Sequence, residues 1–511
     1  MKNKNKLKKK GFDERFDQGE ETIDFSSGII THGLSKTIKL PPMDVSASLI
    51  LKGDERIKTY AESFVYTGSC DFVLIPRDWQ DVTQALRQAH ALKTPVTFAG
   101  SRTAMTGASI PDSGMVISLE KMNRFLDMGA SHGEMVAKAE PGILLGDFKN
   151  KISDENYFYP PDPTSFREAQ LGGTLATNAT GEDSYFFGST RKYVQELKLI
   201  LADGSEKTIT RKQIPIISTK NKAGYFLEGE EIDHLIGSEG SLALIREATL
   251  KILPQDHDFF SALIPFSSFE SCLDFVVQTK THGPKLRAME FLGPGAYEIF
   301  ISQKGIPSFP KGTVCLVYLK KDFENEKNEI ACTEIFTWLQ NFFKTEPSFL
   351  DSVFIALSPK QKENIRQWRH FVPATVNENN RKRMEAGGGK ISTDWWVPTE
   401  FIIPMMSWVY SESQKMGVDF LVFAHIGDGH PHWNYLTKNP DEKKRVENFV
   451  EVMCRRAVAY GGGVAGEHGI GKIHHNYLAI QHSAKTIQKM RELKTRWDPH
   501  WILGRNNLFS F

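Results

Sequence analysis

Residues 171–181 read Leu171-Gly-Gly-Thr-Leu-Ala-Thr-Asn-Ala-Thr-Gly181 and consist almost entirely of small side chains. Small residues allow a backbone to approach a large ligand closely. Two other glycine-bearing stretches, Gly100-Ser-Arg-Thr103 and Gly237-Ser-Glu-Gly240, lie on either side of this one in the chain. The pair Gly172-Gly173 taken alone is more often a turn than a ligand site. The succession of such stretches indicates a domain that holds a ligand in its loops.

The residues around these loops are typical of an α/β domain. The short apolar runs Phe72–Pro76, Pro95–Phe98 and Met115–Leu119 predict buried strands, and an alternating run predicts another strand from Ala248 to Leu253. Asp78 is suited to cap a helix with an apolar face that follows the first strand. Strand, helix, strand, loop and strand in succession predict an α/β unit.

A second domain of the α+β class is predicted from about residue 257 onward, where longer amphipathic stretches begin. Strand candidates at Phe259–Ile264 and Thr313–Leu319 alternate there with helix candidates at Phe269–Thr279 and Glu324–Phe343.

Length and composition restrict the class of protein. A chain of 511 residues is long enough for two or three domains. Hydrophobic and charged contents of 40% and 24% are those of a globular protein, and a net charge of +1 argues against nucleic acid as a partner. Five scattered cysteines without a Cys-x-x-Cys pair indicate a reducing compartment and argue against an iron–sulfur cluster.

The sequence predicts a cytoplasmic location, with a peripheral membrane contact as the alternative. The basic start Met1–Lys10 is followed by no apolar run, which favours a solvated tail over a membrane-touching patch. The apolar stretch Val397–Tyr410 is interrupted by two prolines and a glutamate, so we expect no membrane-spanning segment.

Two glycine-rich stretches near the C-terminus carry metal-ligand residue types. Ala424-His-Ile-Gly-Asp-Gly-His-Pro-His-Trp-Asn434 contains His425 and His432, and Gly466-Glu-His-Gly-Ile-Gly-Lys472 contains Glu467 and His468. Imidazole and carboxylate suit a divalent ion such as zinc, with manganese or iron as alternatives. We expect His425, His432 and Glu467 to be the ligands. His468 is then favoured as a proton acceptor over a fourth ligand.

Other side chains near these motifs are assigned more modest roles. We expect His430 to point away from the metal or to adjust the pocket, and Asp428 to shape its loop as an Asx turn. His474 and His475, at a predicted helix start, are interpreted as surface histidines.

The order of the N-terminal loops resembles the flavin-binding domain of the vanillyl-alcohol oxidase superfamily. Within it, Gly-Glu-His-Gly-Ile-Gly from Gly466 to Gly471 and the histidine-rich stretch from His425 to Asn434 resemble the D-2-hydroxyacid dehydrogenases. Trp368-Arg369 and Lys390-Ile-Ser-Thr-Asp394 are similar to family segments that reach the substrate carboxylate. The resemblance spans about Tyr60 to Phe509.

The resemblance implies an α+β protein with a two-subdomain FAD-binding domain, an α+β substrate or cap domain and a short C-terminal segment. The expected boundaries are 1–55 for the tail and lead-in, 56–254 for the FAD-binding domain, 255–460 for the cap, and 461–511 for a segment that completes the active site. It further implies that Arg369 and Lys390 act in catalysis beside His468. The implied FAD contacts are Gly100, Ser101, Arg102, Thr103, Ala104, Pro161, Asp162, Gly172, Gly173, Thr177, Asn178, Gly181, Gly237 and Glu239.

Three segments depart from the family pattern. In the histidine-rich stretch, Ala424 replaces the leading glycine and His430 replaces an asparagine, and neither change touches His425, His432 or Glu467. The family's first loop usually reads Gly-Gly-Gly-Thr, whereas Ser101 and Arg102 stand here; Arg102 either adds a positive charge for the pyrophosphate or crowds the loop. The family commonly ends with Leu-Asn-Pro-Gly-Lys, and this chain reads Leu503-Gly-Arg-Asn-Asn507. The first loop contains no histidine or cysteine, so we expect non-covalent FAD.

The resulting hypothesis is an FAD-dependent, metal-assisted oxidation of a D-2-hydroxy acid, such as one like D-lactate, to the 2-oxo acid. The alternatives are a metal-free flavin oxidase of a sugar or aldonolactone, a non-catalytic flavin-binding subunit, and a flavin-free zinc hydrolase. No NAD fingerprint is evident. A quinone, a cytochrome or an electron-transferring flavoprotein is therefore expected as electron acceptor, and the sequence also allows a homodimer.

Overall fold

The computed structural model describes residues 49–53, 55–63, 65–215, 220–255, 258–323, 328–344, 347–378 and 380–510. The basic start of the chain and the first residues of the predicted helix Glu324–Phe343 lie outside this range. Within the described residues, no helix combines the length and apolarity needed to cross a bilayer.

A four-stranded sheet forms the first layer, in the order Leu49–Leu51, Phe72–Ile75, Met115–Ser118, Val96–Ala99. The last three strands are parallel, and the first is antiparallel to its neighbour. These strands confirm the three that the apolar runs predicted. The helix Trp79–Leu92 packs beside them, and Asp78 caps it by accepting a hydrogen bond from the Gln80 N–H.

A five-stranded antiparallel sheet forms the second layer. Its order is Phe125–Ser131, Glu134–Ala139, Leu244–Lys251, Val194–Ile200, Glu206–Thr210. The predicted strand Ala248–Leu253 is confirmed, although it begins four residues earlier, at Leu244. A two-stranded sheet pairs Tyr157–Phe158 with Leu253–Pro254.

The stretch 171–181 is not wholly a loop, because Leu171–Ala176 forms a short helix. A side chain at Gly172 would lie 2.6 Å from the Pro141 Cβ, so only glycine fits this face of the helix. The small residues thus serve close packing as well as ligand approach.

A seven-stranded antiparallel sheet dominates the second half of the chain. Its order is Phe354–Ala356, Phe259–Phe266, Cys315–Asp322, Ala288–Leu292, Phe420–His425, His430–Thr437, Gly389–Ser392. The predicted strands near 259–264 and 313–319 and the predicted helix near 269–279 are confirmed by the sheet and by the helix Phe269–His282. The α-helices of the described residues are Lys58–Ala61, Trp79–Leu92, Leu145–Ser153, Leu171–Ala176, Ser184–Phe187, Glu231–Leu235, Phe269–His282, Ala296–Ile301, Asn328–Phe343, Pro359–Glu378, Asn380–Glu385, Ile402–Met416, Pro440–Ala459, His475–Gln481 and Ala484–Trp497.

The C-terminal segment returns to the first sheet. The Val96 N–H donates to the Ile502 carbonyl at 2.7 Å, and the Gly504 N–H donates to the Val96 carbonyl at 2.8 Å. The buried Asn507 amide donates to the Glu239 carbonyl at 2.8 Å. The segment after residue 461 is therefore packed against the N-terminal half rather than against the cap alone. The domain boundaries given above stay predictions.

Candidate active site

A cavity of about 1150 Å³ lies where the two halves of the chain and the C-terminal segment meet. Glycine-rich loops of the first half line one side, and strands and helices of the second half line the other. Cavities for drug-sized ligands measure roughly 300–1,000 Å³. This cavity therefore has room for a large cofactor together with a small substrate.

Most of the residues expected to contact FAD line this cavity. They are Gly100, Ser101, Arg102, Thr103, Ala104, Asp162, Gly172, Gly173, Thr177, Gly181 and Glu239. Pro161, Asn178 and Gly237 do not line it. Asn178 lies behind the wall, where its side-chain oxygen accepts a hydrogen bond from the Arg191 N–H at 2.9 Å. For these three residues the structure therefore indicates support of the loops rather than direct contact.

The shape of the first-half wall fits a flat, extended group lying against backbone. A Cβ built on Gly173 meets nothing within 4 Å, so the space before this residue is open. The side-chain oxygen of Gln170, a buried residue of the same wall, has no hydrogen-bond partner among the described residues. At Gly181 a Cβ would lie 2.0 Å from the Asp162 carbonyl, which requires glycine. These observations agree with a cofactor as the occupant.

Arg102, the departure from the family loop, adopts a left-handed conformation with φ +56°. Its guanidinium lies 4.4 Å from the centre of the Tyr60 ring and donates to the Gly100 carbonyl at 3.3 Å. Stacking on Tyr60 keeps the charge at the cavity wall without filling the cradle before Gly173. The geometry thus favours the charge-supplying alternative over the crowding one.

The metal-type residues converge although they come from separate segments. His425 ends the strand Phe420–His425, and His432 lies on the adjacent antiparallel strand, opposite Phe423. Glu467 lies between them, with its two carboxylate oxygens 3.3 Å from His425 Nε2 and 3.4 Å from His432 Nε2. The three ligand atoms lie within 4.8 Å of one another. Two imidazoles and one carboxylate form a catalytic donor set that fits a divalent ion.

Charged neighbours surround this cluster. His425 Nδ1 contacts Glu290 at 2.7 Å, the arrangement in which a carboxylate orients a metal-binding imidazole. Burial disfavours a charged imidazole, but the Glu290 and Glu467 carboxylates outweigh it and raise the pKa of His425 to about 10. Glu467 also accepts a hydrogen bond from the Thr180 hydroxyl at 3.0 Å and lies 3.8 Å from Lys220 Nζ. A cation at this position would replace the His425 proton.

Asp394 holds the expected proton acceptor. Its carboxylate contacts His468 Nδ1 at 3.0 Å and His430 Nε2 at 2.9 Å, and it accepts the His468 N–H at 2.9 Å. Burial opposes protonation of His468, but the Asp394 charge outweighs it and raises the pKa of this imidazole. With Nδ1 engaged, Nε2 is the ring nitrogen of His468 that can accept a proton.

His430 lies beside the expected ligands, and with Asp394 and His432 it forms a second group that could hold a metal ion, so its exclusion from the ligand set stays a prediction. It is fully buried, and burial together with the Lys220 charge lowers its pKa to about 3, so its ring is neutral. A Cβ at Gly466 would lie 2.7 Å from this ring, which explains the glycine that precedes Glu467. His430 thus packs the loop and shares Asp394 with His468.

The residues expected to bind the substrate carboxylate differ in their surroundings. The Arg369 guanidinium, from the helix Pro359–Glu378, forms ion pairs with both Glu182 and Glu290. Lys390 Nζ donates to the Asn377 side chain at 2.8 Å, and burial lowers its pKa to about 8. Both side chains line the cavity, but in this structure Arg369 is already neutralised.

One interpretation made from the sequence is wrong, that of His474, and Glu239 has a role that the sequence did not show. Glu239 lines the cavity, yet its two oxygens accept the Ile470 and Gly471 N–H groups at 2.8 Å each, so it anchors the loop of Glu467 and His468. His474 is not a surface residue: it lines the cavity, and burial lowers its pKa to about 4.

Asp428 holds its loop through an ion pair, and its role as an Asx-turn residue stays a prediction. Its carboxylate lies 2.9 Å from Lys220 Nζ, and the Lys280 ammonium donates to the neighbouring Gly427 carbonyl. The sequence offered no sign of these contacts, because both lysines are distant from the loop in the chain.

Sequence reasoning missed several residues of the site, namely Gln170, Glu182, Lys220, Glu290 and Asp394. Glu290 carried a usable signal, since it is the one acid in the buried apolar strand Ala288–Leu292. Buried acids are rare unless they are paired. Asp394 is the last residue of the segment Lys390–Asp394 that the sequence had already singled out, but it was given no role there.

Comparison with known proteins agrees with this geometry. Residues 70–210 match the FAD binding domain family, and residues 257–508 match the family of FAD linked oxidases, C-terminal domain. The chain is 29% identical to a D-lactate dehydrogenase of Anaerostipes hadrus, over 90% of this chain and 94% of that protein. It is 25% identical to the glycolate oxidase subunit GlcD of Bacillus subtilis, over 89% and 92% of the two chains. Identity to a D-2-hydroxyglutarate dehydrogenase of Stutzerimonas stutzeri is also 25%, over 86% and 90%.

The fold is also that of a known flavoprotein architecture, the vanillyl-alcohol oxidase type. An alkyldihydroxyacetonephosphate synthase structure matches with a TM-score of 0.62 at 17% identity, over 86% of this chain and 76% of that one. At this identity the likeness concerns the fold alone. The family matches, by contrast, cover both halves of the cavity wall. The chain therefore belongs to the FAD-linked oxidases and is an FAD-linked oxidoreductase of the D-2-hydroxyacid dehydrogenase type.

Proposed function

We propose that this enzyme oxidises a D-2-hydroxy acid to the corresponding 2-oxo acid with the help of a divalent metal. The observation that carries the proposal is the convergence of His425, His432 and Glu467 beside His468, on the cavity that the glycine-rich loops also line. The relatives named as D-lactate and D-2-hydroxyglutarate dehydrogenases support the substrate class.

FAD bound along the first-half wall would accept the hydride, and a divalent ion held by His425, His432 and Glu467 would lower the pKa of the substrate hydroxyl. His468 Nε2 accepts the hydroxyl proton, and Asp394 stabilises the imidazolium that forms. Lys390 would hold the substrate carboxylate near this base, because both side chains line the same cavity.

A single experiment tests the proposal and separates it from a metal-free sugar or aldonolactone oxidase. Purified holoenzyme is mixed anaerobically with D- and L-2-hydroxy acids, sugars and aldonolactones, and the loss of flavin absorbance is followed. We expect reduction by D-2-hydroxy acids, its loss after dialysis against a chelator, and its recovery with zinc or manganese. Reduction by sugars that is insensitive to chelation would contradict the proposal.

The base is tested by His468→Asn, with His482→Asn as control. His482 is half-buried and contacts the Ala223 carbonyl at 2.7 Å, away from the cavity. We expect His468→Asn to retain flavin and metal while flavin reduction slows by about 10²–10⁴-fold, the range of a lost general base. An unchanged rate would remove His468 from the mechanism.

We further propose that the electrons leave to a quinone, a cytochrome or an electron-transferring flavoprotein. Re-oxidation of the reduced enzyme by each acceptor distinguishes them. Cytoplasmic location and a homodimer stay predictions, to be tested by cell fractionation and by light scattering.

A further inference from the structure

The substrate-side wall of the cavity carries a buried charge network that joins the two halves of the chain. Glu182 follows directly after Gly181 of the glycine-rich stretch, and its carboxylate pairs with Arg369 of the cap helix. Arg369 pairs in turn with Glu290, which contacts His425. The side chains of Glu182 and Arg369 are only 16% and 12% exposed, so solvent screens this pair weakly.

The neighbouring cations of this wall are also matched by acids. Lys320 Nζ lies 3.6 Å from Glu182 and 2.8 Å from Asp183. Arg287 pairs with Asp183 at 2.7 Å and with Asp322 at 3.2 Å. In this network four carboxylates face three cations. Burial opposes ionisation of Glu182, but the Arg369 and Lys320 charges outweigh it and hold its pKa below the usual range. Each cation of this network therefore already has a carboxylate partner, and the carboxylates outnumber the cations.

Lys390 differs from these cations. Its ammonium group donates a hydrogen bond to the neutral Asn377 side chain. Among the described residues, no carboxylate forms an ion pair with Lys390. Of the other arginines and lysines on the cavity besides Arg369, Arg366 pairs with Glu363, and Arg102 stacks on Tyr60 at the flavin side. Lys443 and Lys444 also line the cavity, but both are exposed to solvent, which screens their charge. The Lys390 ammonium group can thus compensate the negative charge of one substrate carboxylate.

Among the described residues of the cavity, a second substrate carboxylate finds no further buried cation that lacks a carboxylate partner. To reach Arg369 it would have to displace Glu182, which would leave that acid buried beside a new negative charge. Breaking a buried ion pair is strongly unfavourable because one charge stays uncompensated. Like charges brought together at a binding site are a recognised source of selectivity against the wrong ligand.

We propose that Glu182 is a specificity-determining residue that restricts the enzyme to monocarboxylic 2-hydroxy acids with an uncharged side chain. This inference rests on the proposed function and narrows it. Dicarboxylic 2-hydroxy acids are repelled by the Glu182–Arg369–Glu290 network, whereas a short alkyl chain meets Phe291, Leu292 and Phe423 of the same cavity.

The test compares two substrates of equal chain length, D-2-hydroxyvalerate and D-2-hydroxyglutarate, which differ in a terminal methyl against a carboxylate. Anaerobic flavin reduction of the holoenzyme gives kcat/KM for each. We expect D-2-hydroxyvalerate to exceed D-2-hydroxyglutarate by at least 100-fold. Glu182→Gln should narrow this ratio by 10-fold or more, because Arg369 then loses one of its two acids.

Glu206→Gln is the matched control, since Glu206 also pairs with an arginine, Arg246, and neither residue lines the cavity. It should leave the ratio unchanged. An equal or higher kcat/KM for D-2-hydroxyglutarate in the wild type would overturn the inference, as would an unchanged ratio in flavin-loaded Glu182→Gln. If that variant does not fold, the wild-type ratio decides alone. Failure of every 2-hydroxy acid to reduce the flavin would instead refute the proposed function itself.

Discussion

Replacement of Asp394 by Asn is the most direct test of how the site holds its base. The Asp394 carboxylate accepts from the His468 imidazole at 3.0 Å, from the His468 N–H at 2.9 Å and from the Glu467 N–H at 3.2 Å. It also contacts the buried His430 ring at 2.9 Å. An asparagine keeps the shape but presents an NH₂ group where one carboxylate oxygen stood, and two donors then face each other.

The size of the effect follows from the bond to His468. A hydrogen bond to a charged group contributes about 1.5–3 kcal/mol, which corresponds to about 10- to 200-fold in rate. The substitution also removes the charge that stabilises the imidazolium and favours the tautomer with its proton on Nε2, the nitrogen that must accept one. We therefore expect flavin reduction to slow by about 10²-fold or more.

The assay is anaerobic stopped-flow reduction of the flavin under saturating substrate, with flavin and metal content measured on the same sample. Metal content matters because Asp394 also holds the Glu467 backbone. Asp419→Asn is the control: Asp419 is more than half exposed and pairs with Lys438 at the surface. A variant Asp394→Asn with full flavin and metal and a rate within twofold of wild type would refute the reasoning.

Three further predictions concern the cofactor cradle, the pH profile and the active-site loop. Gly173→Val should lower the flavin content of the purified protein at an unchanged melting temperature, because the valine side chain enters open space on the cavity. Gly129→Val is the control and should keep its flavin, since a side chain at Gly129 also enters open space but lies away from the cavity. Burial lowers the pKa of Lys390 to about 8, and Lys390 must be protonated to attract a carboxylate, so kcat/KM should fall as the pH rises above about 8. Lys390→Arg should move this fall to higher pH. A wild-type kcat/KM that stays constant up to pH 10 would contradict the prediction. Glu239→Gln should destabilise the protein by about 1–3 kcal/mol in denaturant unfolding, since one of the two N–H groups bound by Glu239 then faces an amide donor.

The sequence was sufficient where local pattern determines structure. Runs of apolar residues predicted the strands that became Phe72–Ile75 and Met115–Ser118, and Asp78 was recognised as a helix cap. The pattern failed at Leu171–Ala176, which forms a helix despite two adjacent glycines. There the close approach of Pro141 requires glycine, and tertiary packing outweighs the low helix propensity of that residue.

The candidate site was predictable to the extent that its residues stand in recognisable motifs. His425, His432 and Glu467 converge as expected. The partners that set their charge, Glu290 and Asp394, come from other strands and loops, and only the sheet register brings them close. A buried ion pair leaves no periodic trace in a sequence, so such partners could not be derived from spacing.

The loop of Glu467 and His468 is held from both halves of the chain, which would allow one short segment to supply both the proposed metal ligand and the proposed base. Asp394 of the cap side binds its backbone at the start, and Glu239 of the first half binds the N–H groups of Ile470 and Gly471 at its end. Thr180, next to the flavin-side glycine stretch, donates to the Glu467 carboxylate itself. Any separation of the two halves would therefore move the metal ligand and the base relative to the flavin wall at once. Contacts from both halves, which neither half could supply alone, thereby fix the position of the proposed proton acceptor relative to the proposed hydride acceptor.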